Sequence, residues 1–112
     1  MHRDGAYIFD IVEAARIAMR YLEDMTEEEF SHDVRSQDSV IRRLEIIGEA
    51  ARRVSEQTQE SNPEVPWRSM IGMRNLMIHD YDDVDLSIVW QTVKQDLPRL
   101  VVLLEPLAPP EE

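Results

Sequence analysis

Cysteine is absent from this chain of 112 residues, which removes disulfides and thiolate metal sites together. Lysine is nearly absent too, Lys94 being the single copy, so the basic residues are almost all arginine. No run of about 18 apolar residues occurs, and nothing in the chain reads as a membrane span. The opening Met1-His2-Arg3-Asp4-Gly5 lacks the uninterrupted apolar stretch of a signal peptide. Together these absences lead us to expect a cytoplasmic location. Positive charge is also scarce: 12 basic residues face 23 acidic ones, a net charge of −11. Such a surface repels a phosphate backbone at long range, which argues against broad, non-specific nucleic-acid binding. Any work on nucleic acid must be done at a local arginine site, where a planar guanidinium grips phosphate in a bidentate way.

Helical spacing is what the chain does have, and no segment alternates as a strand. Ile8, Ile11, Val12, Ala15, Ala18, Met19 and Leu22 recur at steps of three and four, which predicts a first amphipathic helix. Thr26 followed by Glu29 reads as a capping box opening a short second helix. Val40, Leu44, Ile47, Ala51 and Val54 predict a long third helix from about Ser39. The stretch Gln59 to Val65 reads as a turn, and Pro66 stands where the first turn of a helix tolerates it. A fourth helix is expected from Trp67 towards His79. Asp85 should cap a fifth, with Leu86, Val89, Trp90, Val93, Leu97, Leu100 and Leu104 on one face and a kink at Pro98. The expected fold is all-α: an antiparallel bundle of four principal helices plus a short one, over residues 1–105. Residues 106–112, rich in proline and acid, read as a flexible tail. A domain this small hides only about two-thirds of its unfolded surface, so dimerisation would enlarge a modest core.

The fourth helix breaks its own pattern. On a wheel at about 100° per residue, Trp67, Met70, Ile71, Met77, Ile78 and Tyr81 share an arc, with Arg74 in its middle. A guanidinium on an apolar stripe is costly unless it is paired or faces another chain. The plain reading pairs Arg74 with a carboxylate such as Glu49 and makes His79 a helix-end histidine. Arg74 and His79, five apart, diverge by about 140° on one ideal helix. A joint site therefore needs a distorted helix end or a symmetric dimer, which would bring two arginines and two histidines into one cleft. On the third helix Arg42, Glu45, Glu49, Arg52, Arg53 and Glu56 form a polar face at ion-pairing intervals. Arg43 sits at the edge of the apolar arc. Arg43 and Glu49 are candidate residues of the same cleft, although an aliphatic stem reaching for water is the better account of Arg43. The acidic run His79-Asp80-Tyr81-Asp82-Asp83-Val84-Asp85 lacks the glycine and distant glutamate of a calcium loop, so we expect no metal and no cofactor.

Val65-Pro66-Trp67, followed by Ile71-Gly72-Met73-Arg74-Asn75-Leu76-Met77-Ile78-His79-Asp80-Tyr81, resembles the signature of HEPN-domain ribonuclease toxins of the HepT type. That signature is arginine, four residues, histidine, any residue, tyrosine, commonly with asparagine after the arginine. Ile47-Gly48-Glu49-Ala50, Asp85 with Ile88-Val89-Trp90, and Asp96-Leu97-Pro98 are similar to the family as well. The resemblance implies the toxin of a type II toxin–antitoxin pair: a metal-independent endoribonuclease acting as a homodimer. It implies Arg74 and His79 as catalytic, Asn75 as supporting, and a minimal nucleotidyltransferase as the neutralising partner. It further implies Tyr81 as the acceptor of AMP from that partner. Two other readings stay open: a catalytically inactive helical module that docks a nucleotidyltransferase, and a purely structural helical dimer with Arg74 in a buried ion pair.

Overall fold

The computed structural model describes residues 3–72 and 84–109. Helix α1 spans Asp4–Leu22, α2 Glu27–Ser31, α3 Val34–Arg53 and α4 Glu56–Ser61. Residues 67–72 are helical again (α5), and α6 spans Leu86–Gln91. A π-helical turn, Thr92–Asp96, leads straight into α7 at Leu97–Leu104, and a 3-10 turn, Glu105–Leu107, follows. No strand occurs among the described residues.

Helix α1 is the hub. Its buried stripe of Ile8, Ile11, Val12, Ala15, Ala18 and Leu22 packs against α3 on one side and the π turn and α7 on the other. Three contacts fix the directions. Asp4, at the start of α1, binds Ser55 just past the end of α3, so these two helices run antiparallel. Lys94 Nζ donates to the Leu22 carbonyl at the end of α1 (2.8 Å), and the chain returns to bring Pro109 beside Gly5. The α6–π–α7 rod is therefore antiparallel to α1 as well. The expectation of an antiparallel all-α bundle holds for the described residues.

Two caps act where the sequence placed them. The Thr26 hydroxyl accepts from the Glu29 amide, and the Glu29 carboxylate accepts from the Thr26 amide. Asp85 accepts from the amides of Ser87 and Ile88. Three boundaries differ from expectation. Helix α3 begins at Val34, not near Ser39, because Asp33 caps it by accepting from the Ser36 amide and hydroxyl. Gln59 to Ser61 are not turn but the end of α4, which Ser55 caps through the Thr58 amide. At Pro98 the helix widens ahead of the proline. In the π turn Leu97 N–H reaches back five residues to the Thr92 carbonyl. The wider turn relieves the clash that a proline ring makes with the carbonyl four residues earlier in an α-helix. The final segment starts on the bundle, with Leu107 and Ala108 half-buried against the core.

Asp4 is a buried carboxylate with good partners. It accepts from Ser55 N–H (3.0 Å), Ser55 Oγ (2.6 Å) and Thr58 Oγ1 (2.6 Å), tying α1 to α4. Burial alone would raise its pKa, but the hydrogen bonds from Ser55 and Thr58 outweigh that and lower it from 3.8 to about 2. Since the folded value lies below the unfolded one, folding favours the ionised form. The contribution, on the order of 2 kcal/mol, is whole above the unfolded pKa and drains away as pH falls towards the folded one. We expect Asp4→Asn to be less stable than wild type near neutrality, and the gap to close on acidification towards pH ~2. Urea midpoints of both proteins across that range check this, and a gap constant with pH would refute it.

Candidate functional site

Arg74, Asn75, His79 and Tyr81 all lie outside the described residues, as does the acidic run from His79 to Asp83. What the structure does fix is the frame on either side of them. On the upstream side Val65, Trp67 and Met70 are buried, Trp67 Nε1 donates to the Asn62 carbonyl (3.0 Å), and Met70 N–H donates to the Pro66 carbonyl. Pro66 thus offers the first carbonyl of α5 without an amide of its own to leave unpaired. At Gly72 a Cβ would meet nothing within 4 Å, so packing among the described residues does not require glycine there. Downstream, Val84 is packed on the core, Asp85 caps α6, and Val89 is buried behind it. The bundle thus holds Met70 on the upstream side and Val84 on the downstream side.

The two candidate cleft residues on α3 are described, and they separate. Glu49 lines a groove between α1 and α3 together with Tyr7, Asp10, Arg42, Glu45, Ile46 and Arg53, about 400 Å³ in volume. Arg43, six residues before Glu49, is half-buried and does not line that groove. Glu49 is the organiser of the C-terminal end of α3. One of its oxygens, Oε2, accepts from Arg52 Nη2 (3.0 Å) and from Arg53 Nε (2.7 Å). The Arg53 guanidinium is held still more firmly charged, first by the Glu49 carboxylate and then by the Tyr7 hydroxyl. Arg42 and Glu45 pair one turn earlier at 3.5 Å. The salt-bridged face predicted on α3 is present. Exposed pairs of this kind contribute little stability, so the gain from Glu49 is orientation of two arginines, not energy.

The sequence reading missed two features. One is the Asp4–Ser55–Thr58 latch, whose only local trace was Ser55 and Thr58 at capping distance. The other is a groove of about 360 Å³ lined by Arg16, Met19, Arg20, Glu23, Val93, Lys94 and Pro98. It joins residues that are more than seventy positions apart, and nothing in the local pattern announces it. Among the described residues no group of three or more histidine or acidic side chains is placed to hold a metal ion. No helix among them is long and apolar enough to cross a membrane.

Comparison with known proteins finds a match to the family model described as "Ribonuclease HepT-like" over residues 11–107. The chain is 41% identical over 99 residues to "Probable ribonuclease HepT" of Thermococcus cleftensis, covering 88% of each protein. It is 39% identical over 95 residues to "Putative RNase MJ1380" of Methanocaldococcus jannaschii, covering 85% of this chain and 87% of that one. "Putative RNase TTE0752" of Caldanaerobacter subterraneus is 31% identical over 94 residues, covering 84% of each protein. No solved structure matches.

Proposed function

We propose, from the premise that the chain belongs to the HepT-like ribonuclease family, that it is a metal-independent endoribonuclease toxin. The observation that carries this reading is the sequence Arg74-Asn75…His79-Asp80-Tyr81, set within the residues matched by the family model. Cleavage without a metal uses the 2′-hydroxyl of the RNA itself. Its oxygen attacks the adjacent phosphorus, the bond to the 5′-oxygen breaks, and a 2′,3′-cyclic phosphate and a free 5′-hydroxyl result. The step needs an acceptor for the 2′-proton and a donor for the leaving oxygen. Histidine, with a reference pKa of about 6.5, serves as either near neutrality. In a symmetric dimer the two His79 side chains divide the work, one neutral and one protonated. Arg74 binds the non-bridging oxygens, where negative charge builds as the phosphorane forms. Asn75 orients the imidazole or the phosphate through neutral hydrogen bonds.

Silencing belongs to a partner nucleotidyltransferase antitoxin. Its proposed reaction joins the Tyr81 phenol oxygen to the α-phosphate of ATP and releases pyrophosphate. The added phosphate then competes for Arg74 with the RNA backbone through the same charge-assisted contacts. Purified protein should cleave RNA in the presence of EDTA and leave cyclic phosphate ends. An oligomer with 2′-deoxyribose at the cleavage position should resist, and strong inhibition by EDTA would overturn the metal-free assignment. Co-expression with the nucleotidyltransferase should add one or more AMP masses that map to Tyr81. A fully neutralised toxin with unmodified Tyr81 would sink this part of the mechanism.

A further inference from the structure

The groove between α1 and the π turn is lined mainly by cations. Three cations, Arg16, Arg20 and Lys94, line it against a single carboxylate, Glu23. By contrast, the α1–α3 groove sets two arginines against three carboxylates, and a hollow between α5 and α7 sets Arg99 against Glu64 and Asp96.

The three cations are not equally free. Lys94 is locked: Nζ donates to the Leu22 carbonyl and lies 5.0 Å from the centre of the Trp90 ring, which itself packs on Phe30. An ammonium has three N–H donors, so this anchoring leaves donors that can face the groove. Arg16 is steadied by an ion pair with Glu105 that uses one arm of its fork. Arg20 is exposed and has no ion pair among the described residues, although it also borders a hollow lined by Asp24, Glu29 and Asp33. Between them Met19, Val93 and Pro98 give an apolar floor. Pro98 and the π turn ahead of it thus build one wall of the groove, and π turns recur at functional sites.

We infer that this groove is a second RNA contact, made of residues other than Arg74 and His79, which holds the phosphodiester backbone of a single strand while a base face rests on Met19 and Pro98. The inference rests on the reading that RNA is the substrate. Its chemistry is that of strand binding without sequence choice: cations track phosphates, and an apolar surface accepts any base. It answers the electrostatic difficulty posed by the sequence. The global field repels RNA, and cations besides Arg74 add grip on the strand.

Anisotropy of a labelled, fully 2′-O-methylated RNA oligomer tests this on the complete protein, because that probe binds but offers no 2′-hydroxyl for cleavage. Arg20→Glu should weaken binding at least about tenfold at low salt. Arg20→Ala should reduce the slope of log K against log salt by about 0.7, the release from one single-strand phosphate. Arg35→Glu alters net charge equally at an exposed position outside the groove, and should bind nearly as wild type. Equal weakening by Arg20→Glu and Arg35→Glu would reduce the effect to the overall field and overturn the inference. So would wild-type protein that does not bind the oligomer at low salt. Cleavage assays fail or succeed separately: a protein that binds through Arg20 and cleaves nothing loses the catalytic reading and keeps the groove.

Discussion

His79→Ala should lower the rate of RNA cleavage by about 10²–10⁴-fold, on the order of 3–5 kcal/mol in the transition state. The loss arises because the 2′-proton must then go to water, a poor base at neutral pH. Arg74→Ala should be comparably inactive. Arg74→Lys should fail to restore activity, since a compact ammonium cannot present the planar fork that meets two phosphate oxygens at once. The rate with wild-type protein should pass through a maximum in pH, since one histidine must be neutral while the other is protonated. Circular dichroism and size-exclusion behaviour of the variants should match wild type, which separates lost chemistry from lost fold. A folded His79→Ala protein that cleaves like wild type would remove His79 from the mechanism.

Phe30→Ala should cost about 3–5 kcal/mol of stability. Phe30 is fully buried, although it sits on a helix of only five residues. Its ring lies 5.8 Å from that of Trp90, and its carbonyl accepts from Gln37 Nε2 (2.9 Å). The capping box at Thr26 is the other hold on α2, and losing such a cap costs about 1 kcal/mol. The aromatic side chain, not the cap, is therefore what pins α2 to the bundle. Against a total of about 5–15 kcal/mol for a domain, this loss is large. Denaturant unfolding of Phe30→Ala and Thr26→Ala measures both terms, and a larger cost for the threonine would reverse the ranking.

The sequence made visible whatever is decided within a turn or two of the chain. Thr26 with Glu29, and Asp85, announced helix starts because a cap is a contact over two or three residues. The buried faces of α1 and of the α6–π–α7 rod were legible from periodicity, since burial imposes it. Helix α4 was not, for a physical reason: it buries no residue and is held by the Ser55 cap and the Thr58–Asp4 hydrogen bond. A helix without a buried stripe has no period to read. The early start of α3 was hidden in the same way, because Val34 is 64% exposed and the first turn depends on Asp33 and Ser36. As for the site, Arg74, Asn75, His79 and Tyr81 stand out as a motif. The wheel could not bring Arg74 and His79 together, since their meeting calls for a second chain or a distorted helix. The groove of Arg16, Arg20 and Lys94 required the folded chain, because only packing unites α1 with the π turn.

The wide turn before Pro98 also bears on how this helix tolerates insertions and deletions. In α3, removing one residue swings every later side chain by about 100° and turns the buried stripe outward. In Thr92–Asp96 the ladder already reaches one residue further than an α-helix does. Deleting the exposed Gln95 would shorten that reach to the ordinary four and leave Leu97, Leu100 and Leu104 facing the core. The cost would fall on Pro98, whose ring would again meet the carbonyl behind it. The spare residue and the proline are thus coupled: deletion of Gln95 should cost less stability when Pro98 is replaced as well.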